Sequence, residues 1–370
     1  MRIHRRSFFK HLAGSVAFSW LAVSAQTAPR TQQPKVPIGV ITIETGESAD
    51  YGTYTRNGLQ LALDELGDVP VRLIHKDSKE DPQEAVRVFK ELQAEGVPLV
   101  IGPFTSTEAR LVGPEAQRVG VVMVTTSANA DDLGGIGDHV FMMLPPNQRQ
   151  GSDQARFAIN RLGAKRAVIL YRLNAYGQSL RKGFAETFKS SGGEILREEA
   201  FPDNAEDFRD HLRVLTRFKP QVFFIAAHDG DTGRILRQAR EVRFPTTKFL
   251  GGDGSMTPAM LQLAGATAAG SIFSNVASLD PAFNRAYRER FGTDPSGYSA
   301  TAYDTLKIVA GFLKSGITTG EGLQQALVAM QGYRGASGLT KFTQQEKSYW
   351  CLEKDYRQYE VRGGKFQLVR

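Results

Sequence analysis

Thr105 and Ser106 stand where an apolar run, Val97 to Ile101, gives way to a segment of helical period, Glu108 to Gln117. A helix N-terminus leaves backbone N–H groups unpaired and carries partial positive charge, so hydroxyls there either cap the helix or help hold an anion such as a carboxylate. Much further along, Asp253 sits in Gly251-Gly252-Asp253-Gly254 after another apolar run. It either makes an Asx-turn, caps the helix beginning near Pro258, or presents a carboxylate to an ammonium, with its flanking glycines allowing unusual backbone angles. An anion site facing such an acid suits a zwitterion, the α-carboxylate and α-ammonium of an amino acid. Tyr51, Phe104 and Tyr176 supply aromatic surface for the rest of a pocket.

These residues follow strand-like runs in regular order, as do Ser127-Ala128-Asn129 and His228-Asp229. The runs are Pro37 to Ile43, Val71 to Lys76, Val97 to Ile101, Val121 to Thr125, Ala167 to Tyr171, Val222 to Ala226 and Phe249 to Gly251. Most are apolar throughout, as expected of parallel strands covered on both faces. Segments of helical spacing lie between them, for example Leu59, Ala62, Leu63 and Leu66, or Ala85, Val88, Phe89 and Leu92 after the capping pair Asp81-Pro82. The pattern predicts an α/β chain whose ligands bind beyond the carboxyl ends of the strands. Its length exceeds one ordinary core, so two lobes are expected, each with its own sheet.

Met1 to Ala25 reads as an export leader, with Arg2, Arg5, Arg6 and Lys10 before an apolar stretch too short to span a bilayer. Arg5-Arg6-Ser7-Phe8-Phe9-Lys10 resembles a twin-arginine signal, an ordinary secretory leader being the alternative. No cysteine ends that stretch, so a soluble periplasmic protein rather than a lipoprotein is expected. The net charge of +7 includes four leader cations, leaving +3 spread without a basic run, which argues against nucleic acid as a partner. The lone Cys351 has no disulfide partner and reads as a small buried residue. No dinucleotide, phosphate-loop or nucleophile-elbow motif is present, and the histidines lack the spacing of a helical zinc site. No cofactor, metal or catalytic residue is therefore predicted. Adjacent acids at Asp131-Asp132 and Glu198-Glu199 diverge along the chain and read as a solvated turn or edge.

Tyr51-Gly52, Asp81-Pro82, Ile101-Gly102-Pro103, Ser127-Ala128, Tyr176-Gly177, Gln238-Ala239-Arg240, Gly252-Asp253-Gly254 and Tyr303-Asp304 occur in a family's order. The chain resembles the leucine/isoleucine/valine-type periplasmic solute-binding proteins of ATP-driven (ABC) importers. That resemblance implies a type I periplasmic-binding fold, two Rossmann-like lobes with parallel-sheet cores joined by three hinge crossovers. The crossovers are expected near Pro146, Val276 and Ser348, giving lobes 36–146 plus 277–348 and 147–276 plus 349–370. The resemblance further implies that Ser106 and the turn Ser127 to Asn129 take a ligand carboxylate. Asp253 and the Ser127 carbonyl would take the ammonium, while Tyr51 and Tyr176 close over the ligand. Asn129 replaces a common hydroxyl residue, and His228 stands where aromatic or small residues are frequent, as a ligand contact or as filler.

The expected function is capture of a branched-chain or related small amino acid by a monomer, for membrane permease subunits of an ABC importer. A sensory module for amides or aromatic acids is the alternative. A hydrolase using Asp253, Asp77 or His228 is the less favoured one.

Overall fold

The apolar runs assemble into two seven-stranded sheets. The computed structural model describes residues 34–369, apart from 47, 246 and 277–279, so the predicted leader lies outside the described residues. The first sheet runs, in spatial order, Phe342–Gln345, Ser348–Cys351, Val140–Met142, Val122–Thr125, Leu99–Ile101, Val36–Thr42 and Val71–Asp77. All neighbours are parallel except the terminal hairpin of Phe342–Gln345 with Ser348–Cys351. The second runs Lys365–Leu368, Tyr356–Arg362, Ile272–Val276, Lys248–Gly251, Val222–Ala226, Arg166–Arg172 and Glu194–Phe201. There the two strands nearest the C-terminus are antiparallel to their neighbours and the other five are parallel.

Each sheet is covered on both faces, which is why its central strands contain hardly a polar side chain. In the first lobe Ile38, Val40, Leu99 and Val122 pack under helix Gly297–Lys314, while Ile41, Val100 and Met123 meet helices Pro82–Ala94 and Ser106–Val119 on the opposite face. In the second lobe Phe224 stacks on Phe184 of helix Ala175–Ser190 with ring centroids 4.1 Å apart. Asp81 accepts from the Gln83 and Glu84 amides at 2.7 and 2.9 Å, with Pro82 in the first turn, as the sequence predicts. Glu198 and Glu199 lie on the edge strand Glu194–Phe201, where their acidity faces partners such as Arg181 and Arg197.

The third crossover departs from expectation. Ser348–Cys351 pairs with Val140–Met142 in the first sheet, whereas Tyr356–Arg362 pairs in the second, so the chain crosses after Cys351 rather than near Ser348. Trp350 is the reason, because its fully buried ring belongs to the first lobe's core and commits the strand there. Leu144, Val276 and Tyr356 all join one buried cluster with Ile43, Tyr51, Phe104 and Tyr298. The crossover segments are thus welded into an aromatic knot that also borders the cleft.

Candidate ligand-binding cleft

The loop after strand Leu99–Ile101 places the first group of predicted residues. Gly102 has φ +103, and a Cβ on it would lie 2.1 Å from the Ile41 carbonyl oxygen, so only glycine lets the chain turn this tightly toward Phe104. Thr105 caps helix Ser106–Val119, accepting from the Glu108 amide at 3.2 Å, while Glu108 accepts from the Thr105 amide at 2.9 Å. Ser106 does something different. Its Oγ accepts the Asn129 and Ala130 amides at 3.2 and 3.1 Å, so both acceptor positions are filled and its proton is left to donate. A carboxylate beside the helix N-terminus is the natural acceptor for that proton.

Ser127 and Asn129 are committed elsewhere. The Ser127 hydroxyl donates to the Phe104 carbonyl at 2.5 Å. Asn129 Nδ2 donates to the Pro145 carbonyl at 2.7 Å and to the Tyr356 hydroxyl at 2.9 Å. Its amide therefore ties the turn to two crossover segments and does not line the cavity.

On the second lobe Asp253 is 1% exposed, and its Oδ1 accepts from the Tyr176 hydroxyl at 3.0 Å and the Gly254 amide at 2.9 Å. Burial pushes its carboxyl above the ordinary range, against the hydrogen bond from Tyr176, which pulls it down. An ammonium beside it would lower it further. The flanking glycines serve a purpose other than the one expected. Neither Gly252 nor Gly254 has positive φ; instead a Cβ on Gly252 would meet the Tyr176 hydroxyl at 2.3 Å, so glycine is needed for the close approach of that ring. Tyr176 stacks in turn on His228, centroids 4.7 Å apart. Burial, with Arg172 nearby, lowers the His228 imidazole to about 3, so the ring is neutral at physiological pH and offers no cation to a ligand.

Tyr51 stacks on Phe104 at 4.6 Å, and its hydroxyl donates across the cleft to the Gly254 carbonyl. Burial drives the phenols of Tyr51, Tyr176 and Tyr298 well above their ordinary value, so all three remain hydrogen-bond donors. A cavity of about 20 Å³ lies between Ser106, Ala128, Tyr176, His228, Asp253 and Tyr298, with Phe104, Thr105, Ser127 and Gly254 completing the wall. It brings together eight of the ten predicted residues; Tyr51 and Asn129 do not line it. Tyr298 was missed from sequence, although it lies in the first turn of helix Gly297–Lys314, capped by Ser296. Gln150 was missed as well: its Nε2 donates to the Ser274 carbonyl at 3.0 Å, and its buried Oε1 has no hydrogen-bond partner. Among the described residues no cluster could hold a metal ion, and no helix is long and apolar enough to cross a membrane.

A family model described as periplasmic binding protein matches residues 35–365. The chain belongs to the periplasmic binding protein family. This binding protein is 28% identical over 272 residues to the Leu/Ile/Val-binding protein BraC3 of Rhizobium johnstonii, with 71% of each chain covered. It is similar in structure to a leucine binding protein from Thermotoga maritima, with TM-score 0.85 and 26% identity over 90% of this chain and 98% of that one. It is also similar to a branched-chain amino acid transporter substrate binding protein from Streptococcus pneumoniae, solved in complex with isoleucine. There the TM-score is 0.82 and the identity 27%, over 90% of this chain and 99% of that one.

Proposed function

We propose that the mature chain is a periplasmic, monomeric and non-catalytic binding protein that captures an amino acid between its lobes and delivers it to the permease subunits of an ABC importer. The observation that carries this reading is the pairing of a hydroxyl donor at a helix N-terminus, Ser106, with a buried acid on the opposite lobe, Asp253, across one cavity. These groups complement an α-carboxylate and an α-ammonium, and only closure of both lobes engages both. The relatives named for leucine, isoleucine and valine support an aliphatic stem packed against Phe104, Tyr298 and Tyr176. The cavity holds about one water, so ligand entry requires lobe opening or ring movement.

Thermal unfolding of protein stripped of ligand by unfolding and refolding tests the reading. An amino acid at 100 times its Kd adds about 2.7 kcal/mol of stability. The expected result is stabilisation by at least one α-amino acid, abolished in Asp253→Ala. Stabilisation by a simple carboxylic acid, with none by any zwitterion, would overturn it.

A further inference from the structure

Beyond His228 lies a second, larger space. A chamber of about 280 Å³ opens between the lobes, and His228 borders both it and the small cavity beside Asp253. The Cδ2 edge of the ring is turned toward Gly254, and the opposite edge carries Nδ1, which is buried without a hydrogen-bond partner. A ligand side chain too large for the small cavity has this chamber as the adjoining space into which to extend.

The chamber is acidic. Glu80, Glu206, Asp229 and Asp231 line it, against Arg172 and Arg234, with His228 neutral. Arg172 is divided among three acids. Its Nε holds Asp203 at 2.6 Å, whereas Nη1 lies 3.5 Å from both Glu80 and Asp231. Asp231 is only 8% exposed, and its Oδ2 has no hydrogen-bond partner. Asp229 is 2% exposed; its Oδ2 accepts from Thr257 and its Oδ1 from the Gly230 amide, at 2.9 Å each. Burial raises both carboxyls to about 6, against Arg172 and Arg234, which pull Asp231 down. A leucine methyl pushed into this space would strip water from these carboxylates and return no hydrogen bond. A cation would pair with them.

Resting on the amino-acid reading above, we propose that the preferred ligand has an aliphatic stem ending in an ammonium or guanidinium group, with Asp229 and Asp231 receiving that group in the chamber beyond His228. The stem crosses the aromatic wall, much as the side chain of lysine or arginine packs along apolar surface while its head reaches polar groups. Asp231 is then the residue that sets selectivity, and Asp253 the one that holds the α-ammonium.

Titration calorimetry with L-lysine, L-arginine, L-leucine and L-norleucine tests this, norleucine being lysine without its ammonium. The expected result is tenfold or tighter binding of lysine or arginine over norleucine. That ratio should collapse toward one in Asp231→Asn, with Asp229→Asn as the second variant should the first not fold. Leucine or norleucine binding as tightly as the cationic amino acids, with Asp253→Ala abolishing it, would overturn the chamber's role and leave the amino-acid reading standing. No binding of any of the four, nor of any other α-amino acid, would remove both.

Discussion

The hydroxyl of Tyr176 donates to Asp253 Oδ1 at 3.0 Å and accepts the Gly254 amide at 3.1 Å, so one phenol fixes both the acid and the backbone beside it. Removing that oxygen while keeping the ring isolates its contribution. Tyr176→Phe retains the stack on His228 and loses the bond to the carboxylate. Hydrogen bonds to charged groups contribute about 1.5–3 kcal/mol, so Kd for the bound amino acid should rise about tenfold or more. Calorimetry at constant pH measures it; an unchanged Kd would mean that the remaining donors, Gly254, Gln150 and Tyr298, suffice to hold Asp253 in place.

A second bridge spans the lobes away from the cavity. Ser179 donates to Asp131 Oδ2, and its Oγ accepts the Asp131 amide at 3.3 Å. Ser179→Ala should favour the open form and raise Kd several-fold, chiefly through a faster dissociation rate. Stopped-flow dissociation and solution scattering report the two effects. Equal rates in both proteins would show that this bridge does not govern closure.

Glu108 predicts a pH signature. Burial raises its carboxyl to about 7, so the folded chain holds a proton there that the unfolded chain has already released above the ordinary value of 4.5. Between those values the folded state binds more protons, and this group's contribution to stability falls as pH rises, by up to about 1.4 kcal/mol per pH unit. Glu108→Gln abolishes that dependence. Compared with the parent, the variant should gain stability from pH 5 to pH 8 in urea unfolding. A constant difference between the two would contradict the buried, protonated acid.

Behind the third crossover, Asp304 accepts the Ala336 and Ser337 amides at 2.8 Å each, and the Ser337 hydroxyl links it to the buried Lys354 ammonium. Asp304→Ala leaves that cation without its counter-charge and should cost about 3–5 kcal/mol. Lys354→Met removes the charge itself and should cost clearly less. Denaturant midpoints of the two variants give the order, and the reverse order would show that a stranded Lys354 charge is not what destabilises the Asp304 variant.

The alternation of apolar runs with helical periods was enough to place the central strands, because strands buried on both faces have little choice of residue. Edge strands were harder. Glu194–Phe201 is polar because one side meets solvent, and its alternation resembles a loop. Asp253 and Ser106 were legible because each follows a strand beside a turn or helix start. Tyr298 and Gln150 were not, since they lie in the first turns of helices Gly297–Lys314 and Asn147–Asn160, and nothing local distinguishes them from core. The opposite failure befell Asn129, whose position suggested ligand but whose partners, Pro145 and Tyr356, come from distant parts of the chain.

The aromatic knot of Leu144, Val276, Tyr356, Tyr51 and Phe104 gives the cleft a fulcrum. If the lobes turn about it, displacement grows with distance from the pivot. The fully buried Tyr51 then travels little, while the partly exposed pair Arg172 and Glu80, further toward solvent, separates early. Opening becomes a progressive unzipping from the acidic chamber inward, in which a ligand sheds its side-chain contacts while its head group is still gripped. Release to a transporter would then be limited by the last hydrogen bonds nearest the pivot, those of Ser106 and Asp253.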